Sequence, residues 1–300
     1  MKRITLLFLS LLCGTAAISQ DHPARPRILG IGEAHIYSSN VAGARGFYQT
    51  ILSPVGPCTW CEEIPRSPLI IPLNAEQFVF VLSAPAPPPP DLLAEVTFST
   101  DNLPAMKQFL VENRITFTEA GKTTKAVITL SDPEGHRIAF KQSPPISPLS
   151  SRHASAVHLI HAGFVVRDRT AEEHFYKDIL GFRPYWHGGM KDDQTDWVSL
   201  QVPDGTDWVE FMVNVSPHPD HHTLGVMNHI ALGVADIHAE QAQLRKNGWS
   251  GNEEPKIGRD GKWQLNLYDP DDTRVEFMEF KPTEKPCCSE FTGPHPGPQK

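Results

Sequence analysis

Strand-like and helical segments alternate in a regular order through the C-terminal half of the chain. HLIHAGFVV (158–166) is strand-like, and TAEEHFYKDILGF (170–182) has helical spacing that stops at a glycine. WVSLQV and DWVEFMV then follow as strands on either side of a PDGT turn. This order predicts one βαβββ unit.

The same pattern recurs along the chain. MNHIALGVAD is strand-like, IHAEQAQLRKNGW is helical, and KWQLNLYD and TRVEFMEF are strands around a DPDD turn. In the N-terminal half, residues 33–52 align with 161–180, residues 94–110 align with 228–244, and SDPEGHRIAF corresponds to YDPDDTRVEF. We therefore predict an α+β fold of four tandem βαβββ units, paired into two modules whose curved mixed sheets surround a metal-site cavity.

Proline- and serine-rich stretches divide the chain. SPPISPLSSRHAS separates two halves of similar size, and a proline-rich segment follows the last strand. We expect a signal peptide over 1–20, an N-terminal module over 28–143 and a linker over 144–156. A C-terminal module over 157–281 and a tail over 282–300 complete the predicted organisation.

The first twenty residues have the composition of a secretory signal. Lys2 and Arg3 precede an apolar run, and small residues follow at Ala16, Ala17 and Ser19. The run is too short for a membrane span, and no later segment reaches the roughly 18 apolar residues that a span needs. We expect an exported protein, periplasmic or secreted.

The net charge indicates the class of binding partner, and the cysteines indicate disulfide bonds. The formal net charge is −8, and loss of the signal would remove two cations and make the chain more acidic. An acidic chain without a basic run argues against nucleic acid and leaves a small molecule as the expected partner. Export favours disulfides among the remaining cysteines, and their pairing stays open. These are Cys58, Cys61, Cys287 and Cys288.

Two glutamates interrupt apolar strands in matching contexts. Glu210 lies in DWVEFMV and Glu276 in TRVEFME, where an unpaired buried carboxylate would cost several kcal/mol. Strand alternation places Glu210 on the same face as Met212 and Glu276 on the same face as Met278. Either glutamate could instead face solvent or an arginine. Polar residues at matching positions would favour a shared binding site over these alternatives.

Two histidines occupy corresponding strands of the same units. His161 and His229 recur at nearly the same interval as Glu210 and Glu276. A lone strand histidine is more often a core residue, but two imidazoles and two carboxylates at matched positions form a ligand set for one divalent ion. Zn, Ni, Co, Mn and Fe(II) all suit such a set, and the ion would offset the cost of burying the glutamates.

These features together resemble the vicinal oxygen chelate superfamily, which includes glyoxalase I, bleomycin-resistance proteins and extradiol dioxygenases. NHIALGV is similar to the second histidine strand of glyoxalase I, and DPDDTRVEF to the ending typical of these modules, with Asp272 where the family usually has glycine. The resemblance implies a metal held by His161, Glu210, His229 and Glu276. By the same resemblance, Glu276 is the general base.

The N-terminal half lacks this ligand set. The alignment puts Glu33 at the position of His161, Glu95 at that of His229 and Ala139 at that of Glu276. The strand FVFVL (78–82) has no carboxylate. We interpret this module as a structural partner with a degenerate site.

The resemblance implies more than one reaction. The first hypothesis is a glyoxalase-like lyase or isomerase that acts on a small α-hydroxycarbonyl or dicarbonyl compound through a metal-stabilised enediolate. An Fe(II) extradiol dioxygenase is the alternative, although the second-shell tyrosine and histidine of those enzymes fall at Asn266 and Asn214, with Tyr268 and His222 out of register. A binding protein of the bleomycin-resistance type is a third hypothesis.

Some questions stay open at the level of sequence. Two modules in one chain allow either a monomer, as a pseudo-dimer, or a homodimer. SPHPDHHTL (216–224) holds three histidines, and YWHGGM holds His187. Each of these segments could approach the site or lie in solvent.

Overall fold

A computed structural model describes residues 25–52, 68–122, 126–143 and 157–298. The predicted signal peptide, the predicted linker, Cys58 and Cys61 lie outside the described residues. Within the described part of the chain, no helix is both long and apolar enough to cross a bilayer.

Two mixed sheets dominate the fold, one from each half of the chain. The first has the order β2-β3-β1-β4-β7-β6-β5 and the second the order β13-β14-β15-β12-β8-β11-β10-β9. The first sheet contains β1 (Ile28–Ser38), β2 (Leu69–Pro72), β3 (Phe78–Ser83), β4 (Leu93–Thr100), β5 (Thr118–Ala120), β6 (Val127–Ser131) and β7 (Arg137–Gln142). The second contains β8 (His158–Val165), β9 (Arg183–Gly188), β10 (Trp197–Gln201), β11 (Trp208–Met212), β12 (His229–Val234), β13 (Lys256–Ile257), β14 (Trp263–Tyr268) and β15 (Arg274–Glu279).

Within the described residues, five short helices connect these strands: α1 (Val41–Arg45), α2 (Leu103–Glu112), α3 (Arg169–Glu173), α4 (His221–Met227) and α5 (Ile237–Lys246). Side chains of Asn40, Asn102, Asp168, Asp220 and Asp236 cap their N-termini by accepting backbone N–H bonds. The segments Gly46–Ile51 and His174–Ile179 continue α1 and α3 as π-helical turns. The capping residues fix where each helix begins. The order of strands and helices along the described chain confirms the predicted βα order.

The two modules exchange matching contacts. Tyr48, which follows α1, donates to Asp269 Oδ2 at 2.9 Å in the turn before β15. Tyr176, which follows α3, donates to Asp132 Oδ2 at 3.2 Å in the turn before β7. This reciprocity is the pseudo-twofold relation that the sequence repeat predicts. The two-module α+β fold is therefore confirmed.

Three details differ from the sequence expectation or extend it. His221 and His222, from the histidine-rich segment 216–224, begin helix α4. Asp272 has a φ of 63°, so it adopts the left-handed conformation that glycine usually provides in this turn. Cys287 and Cys288 form a disulfide with each other.

Candidate metal centre

Four neighbouring strands at the middle of the second sheet carry the polar residues that the sequence singled out. His161 lies on β8, Glu210 on β11, His229 on β12 and Glu276 on β15. In the ladder, His161 and Glu276 are both paired with Ala231, while Glu210 and His229 are both paired with Gly163. The register therefore brings four side chains from distant parts of the chain to one face of the sheet.

The polar atoms of these four side chains converge. The Nε2 atoms of His161 and His229 lie 3.0 Å apart. Glu276 Oε2 lies 3.6 Å from His161 Nε2 and 3.5 Å from His229 Nε2. Glu210 Oε2 lies 3.9 Å and 3.8 Å from the same two nitrogens. Ligand atoms of His161, Glu210 and His229 all lie within 4.8 Å of one another, so the group can close around one ion.

Local contacts orient the two imidazoles. His229 Nδ1 lies 2.8 Å from the carbonyl oxygen of Met227, so the ring donates its Nδ1 proton there and presents the Nε2 lone pair to the centre. The ring of His161 packs against Trp208 with centroids 4.7 Å apart. Gly163 makes room for His229, because a Cβ at that position would lie 2.1 Å from His229 Cε1.

Burial and nearby charges shift the pKa values of the two glutamates in opposite directions. Burial raises the pKa of Glu210 to about 8, and the neighbouring Glu276 carboxylate adds to that rise. Burial would also raise the pKa of Glu276, but Arg274 and the histidines outweigh it and lower the pKa to about 2. Burial lowers the pKa of both histidines, that of His161 well below its ordinary value, so both imidazoles are neutral.

The donor set fits one divalent transition ion. Two neutral imidazoles and two carboxylates offer nitrogen and oxygen ligands of the kind that Zn, Ni, Co, Mn and Fe(II) accept. The guanidinium of Arg274 lies 2.8–2.9 Å from both ring nitrogens of His229 and also lines the adjoining cavity. Arg274 is thus a neighbour of this group, and its positive charge favours the ionised form of both glutamates.

A cavity of about 300 Å³ opens directly onto the two glutamates. Its walls combine three tryptophans, Trp186, Trp197 and Trp208, with methionines and with Phe291 from the C-terminal tail. The rings of Trp186 and Trp197 are stacked, with centroids 6.5 Å apart. The cavity can therefore enclose a small flat molecule with one end at the carboxylates.

The C-terminal tail closes one side of this cavity. The backbone N–H of Cys287 donates to the carbonyl oxygen of Arg259 at 2.9 Å, and Trp186 Nε1 donates to the carbonyl oxygen of Cys287 at 3.3 Å. Tyr185 Oη lies 2.7 Å from His295 Nδ1. Hydrogen bonds and aromatic packing, rather than a disulfide to a distant cysteine, hold the tail.

Sequence reasoning missed several residues at the cavity. Trp208 lies two residues before Glu210, so strand alternation alone could have placed it on the same face. Phe291 in the tail and Lys262 before β14 carry no such periodic signal, because neither lies in a strand that shares this face. Only the folded chain brings them to the cavity wall or beside it.

The other histidines that the sequence singled out do not line the cavity. His222 is exposed and lies 3.5 Å from Asp272, and His187 is exposed on β9. Asn266 lines the cavity, whereas the side chain of Asn214 binds Thr195 and Asp196 outside it. No histidine lines the cavity among the described residues.

The aligned positions in the N-terminal module carry ordinary ion pairs. Glu33 pairs with Lys141 and lies 3.3 Å from His35, and Glu95 lies 3.2 Å from Arg137. Within the described residues, neither glutamate belongs to a group of metal-ligating side chains.

The C-terminal module matches a known family. Residues 158–277 match the Glyoxalase/Bleomycin resistance protein/Dioxygenase superfamily, and the match includes all four residues of the centre. The C-terminal module belongs to this superfamily. Its assignment also confirms the resemblance read from the histidine strand and the DPDDTRVEF ending.

Solved structures of this superfamily share the two-module fold. A complex of homoprotocatechuate 2,3-dioxygenase from Brevibacterium fuscum with 3,4-dihydroxyphenylacetate has a TM-score of 0.61 and 18% identity, covering 91% of this chain and 85% of that one. A catechol 2,3-dioxygenase has a TM-score of 0.62 and 13% identity, covering 88% and 96%. Homoprotocatechuate 2,3-dioxygenase from Arthrobacter globiformis has a TM-score of 0.61 and 17% identity, covering 86% and 82%.

At these identities the likeness concerns the fold alone. Among curated proteins, none shows significant sequence similarity to this chain. The fold alone therefore does not specify the reaction.

Proposed function

We propose that the protein is a divalent-metal-dependent isomerase or lyase of the glyoxalase-like type, acting on a small α-hydroxycarbonyl or dicarbonyl compound. The observation that carries the proposal is the second carboxylate. Glu210 stands 3.8–3.9 Å from both histidines and lines the cavity, so it is at once near the ligand group and open to substrate.

The two carboxylates differ in exposure, and this supports a division of roles. The side chain of Glu210 is 14% exposed, against 4% for Glu276. Glu276 also lies closer to both imidazoles. The resemblance implied Glu276 as the base, but this geometry favours Glu276 as the permanent ligand and Glu210 as the carboxylate that meets substrate.

The proposed reaction needs only proton movement. His161, His229 and Glu276 would hold a divalent ion, which would supply a Lewis acid for a substrate carbonyl oxygen. Glu210 accepts the proton from the substrate carbon that bears the hydroxyl group and returns it to the neighbouring carbonyl carbon, while the hydroxyl proton passes to the former carbonyl oxygen. Arg274, which lines the cavity, offers a guanidinium for the negatively charged oxygen that develops. No oxidant is consumed in this reaction.

The cavity walls indicate the kind of substrate. The three tryptophans favour a flat, largely apolar molecule. Lys256 and Arg259 line the same cavity and favour a negatively charged substituent. An aromatic or sugar-derived carbonyl compound with one anionic group meets both conditions.

An extradiol dioxygenase is the second candidate, and the aromatic walls favour it too. The Brevibacterium fuscum enzyme was solved with 3,4-dihydroxyphenylacetate, a flat acid with two neighbouring hydroxyl groups. Against this candidate, Asn266 stands in the cavity lining where the dioxygenase pattern implies a tyrosine. The described lining also lacks a histidine for acid–base chemistry, so we rank this reaction second.

Metal loading followed by two parallel assays tests the proposal. We expect the protein loaded with Ni, Zn, Co or Mn to isomerise dicarbonyl compounds in the presence of thiols, or α-hydroxycarbonyl compounds alone, without oxygen uptake. Oxygen uptake by the Fe(II)-loaded protein with catechols would instead support ring cleavage. Tight binding of substrate without turnover in either assay would support a sequestering protein.

Two glutamine substitutions test the division of roles. We expect Glu210→Gln to keep the metal but to lower kcat by roughly 10²-fold or more, as loss of a general base does. Glu276→Gln should lose bound metal together with activity. Glu254→Gln, at an exposed glutamate that does not line the cavity, is the control. Equal metal loss in both site variants would contradict the assignment of Glu210 as base.

A further inference from the structure

A second buried cluster of metal-ligating side chains lies at the junction of the two modules. Asp132 and His136 belong to the turn between β6 and β7, and Glu172 belongs to α3 of the other module. One ligand atom from each residue lies within 4.8 Å of the other two. None of the three belongs to the centre described above.

Asp132 organises the cluster through several contacts. Its carboxylate accepts the backbone N–H of His136 at 2.8 Å and the hydroxyl of Tyr176 at 3.2 Å. His136 Nδ1 lies 2.8 Å from Asp132 Oδ2, and the imidazole stacks on Phe164 with centroids 4.7 Å apart. Asp132 and His136 are therefore fixed in position before any ligand arrives.

Glu172 is the residue that these contacts leave unexplained. Its side chain is fully buried, and one carboxylate oxygen accepts the backbone N–H of Glu134 at 2.7 Å. Its other oxygen, Oε2, is buried and has no hydrogen-bond partner among the described residues. Since a buried carboxylate oxygen without a partner is costly, a bound cation would remove that cost.

The pseudo-twofold relation provides an internal comparison. Around Asp269, the matching turn keeps the tyrosine contact from Tyr48 at 2.9 Å and the backbone N–H bond from Thr273 at 2.9 Å. Thr273 stands at the position of His136, and buried Ala44 at that of Glu172. The fold therefore forms this junction without the histidine and the glutamate, so neither is required to build it.

Three carboxyl groups, those of Asp91, Asp132 and Glu172, surround the imidazole of His136. Asp91 is coupled electrostatically to His136 and Asp132, and burial raises its pKa to about 6. Burial, reinforced by Asp132, raises the pKa of Glu172 to about 8. The nearby Glu134 is already occupied, because it accepts bonds from Arg167. Burial lowers the pKa of His136, but the hydrogen bond and charge of Asp132 outweigh it and raise that pKa, so an ion bound here would displace a proton from the ring.

We propose that Asp132, His136 and Glu172 form a second metal site, which holds a divalent transition ion of the zinc type and joins the two modules. One imidazole and two carboxylates suit Zn²⁺, whereas Ca²⁺ and Mg²⁺ prefer oxygen ligands alone. Atoms bound to one zinc ion at about 2.1 Å lie up to about 4.2 Å apart. The cluster reaches that spacing by small side-chain movements.

Zinc titration of a variant without the first centre tests the site. We expect metal-free His229→Ala protein to bind one equivalent of Zn²⁺ by equilibrium dialysis. Adding Glu172→Ala, which installs the residue of the matching position, should weaken that binding at least roughly ten-fold. Adding Glu173→Ala, a neighbouring glutamate that pairs with Arg169 and Lys177, should leave it unchanged.

Thermal unfolding gives a second readout. Zn²⁺ should raise the Tm of His229→Ala protein, and this rise should disappear with Glu172→Ala. His136→Thr, which installs the other matching residue, repeats the test if Glu172→Ala does not fold. If the His229→Ala protein bound no equivalent of Zn²⁺, the proposal would be overturned. Undiminished zinc binding in the Glu172→Ala or His136→Thr variant would overturn it as well.

Discussion

At the scale of single residues, Lys262 is a buried amino group next to the metal centre, and its burial changes its pKa. Its side chain is fully buried, and Nζ has no hydrogen-bond partner among the described residues. The ammonium instead faces three aromatic rings, with Nζ 4.5 Å from Trp208, 5.0 Å from Phe291 and 5.5 Å from Tyr185. Burial lowers the pKa of Lys262 to about 8, and Asp260 opposes that shift.

The lowered pKa predicts a pH-dependent stability. Between about pH 8 and 10.5 the unfolded chain keeps the Lys262 proton and the folded protein releases it, so the free energy of unfolding rises with pH. The rise amounts to roughly 3 kcal/mol over that interval. Lys262→Met should remove it in urea unfolding measured across this range. Lys285→Met, at an exposed lysine, should retain it, and identical slopes in both variants would contradict the assignment.

At the level of elements, the antiparallel pairing of β8 with β12 sets the metal centre. His229 is paired with Gly163, and the imidazole lies directly over the glycine. A side chain at residue 163 would occupy the position of the ring, with a Cβ 2.2 Å from His229 Nδ1. The strand therefore needs glycine for packing, since His229 could not otherwise turn toward His161.

Gly163→Ala should weaken metal binding by at least roughly ten-fold, because the displaced ring no longer directs Nε2 at the centre. Overpacking should also cost about 1–3 kcal/mol of stability. Metal affinity by competition with a chelator and Tm by calorimetry measure the two effects. Gly46→Ala is the matched control, since a Cβ there meets open space within a helical segment. Unchanged affinity in Gly163→Ala would contradict the packing argument.

At the level of the whole molecule, Gln77 connects the two sheets. Its buried amide donates to the carbonyl oxygens of Ile31 at 2.7 Å and Leu159 at 3.0 Å, and it accepts the N–H of Leu159 at 2.8 Å. Ile31 lies on β1 and Leu159 on β8. One side chain of the N-terminal module thus satisfies backbone groups two residues before His161.

Gln77→Leu should destabilise the protein by about 1–3 kcal/mol, because buried backbone groups on β1 and β8 lose their partner. Chemical unfolding followed by fluorescence and circular dichroism measures this. Gln108→Leu, on an exposed helix face, should change stability little. Separate unfolding transitions for the two modules in the wild-type protein would argue against tight coupling through this junction.

Periodic patterns predicted much of the fold and part of the site. The βαβββ order, the helix boundaries at Asp236 and Asn247, and the face shared by Glu210 and Met212 all follow from local spacing. The cavity wall did not follow from such spacing. Phe291 reaches it from an irregular tail, and Lys262 enters beside it from a turn, so no alternation of apolar residues indicated either position.

The sequence by itself determined the repeat, the two-module order and the four candidate ligands, because each depends on local periodicity or on matched positions. Tertiary structure decided which of the two carboxylates is more exposed and that Arg274 lies beside His229. It also decided that Asp132, His136 and Glu172 meet across the modules. Those relations depend on strand register and on packing between segments far apart in the chain, and neither is encoded in local spacing.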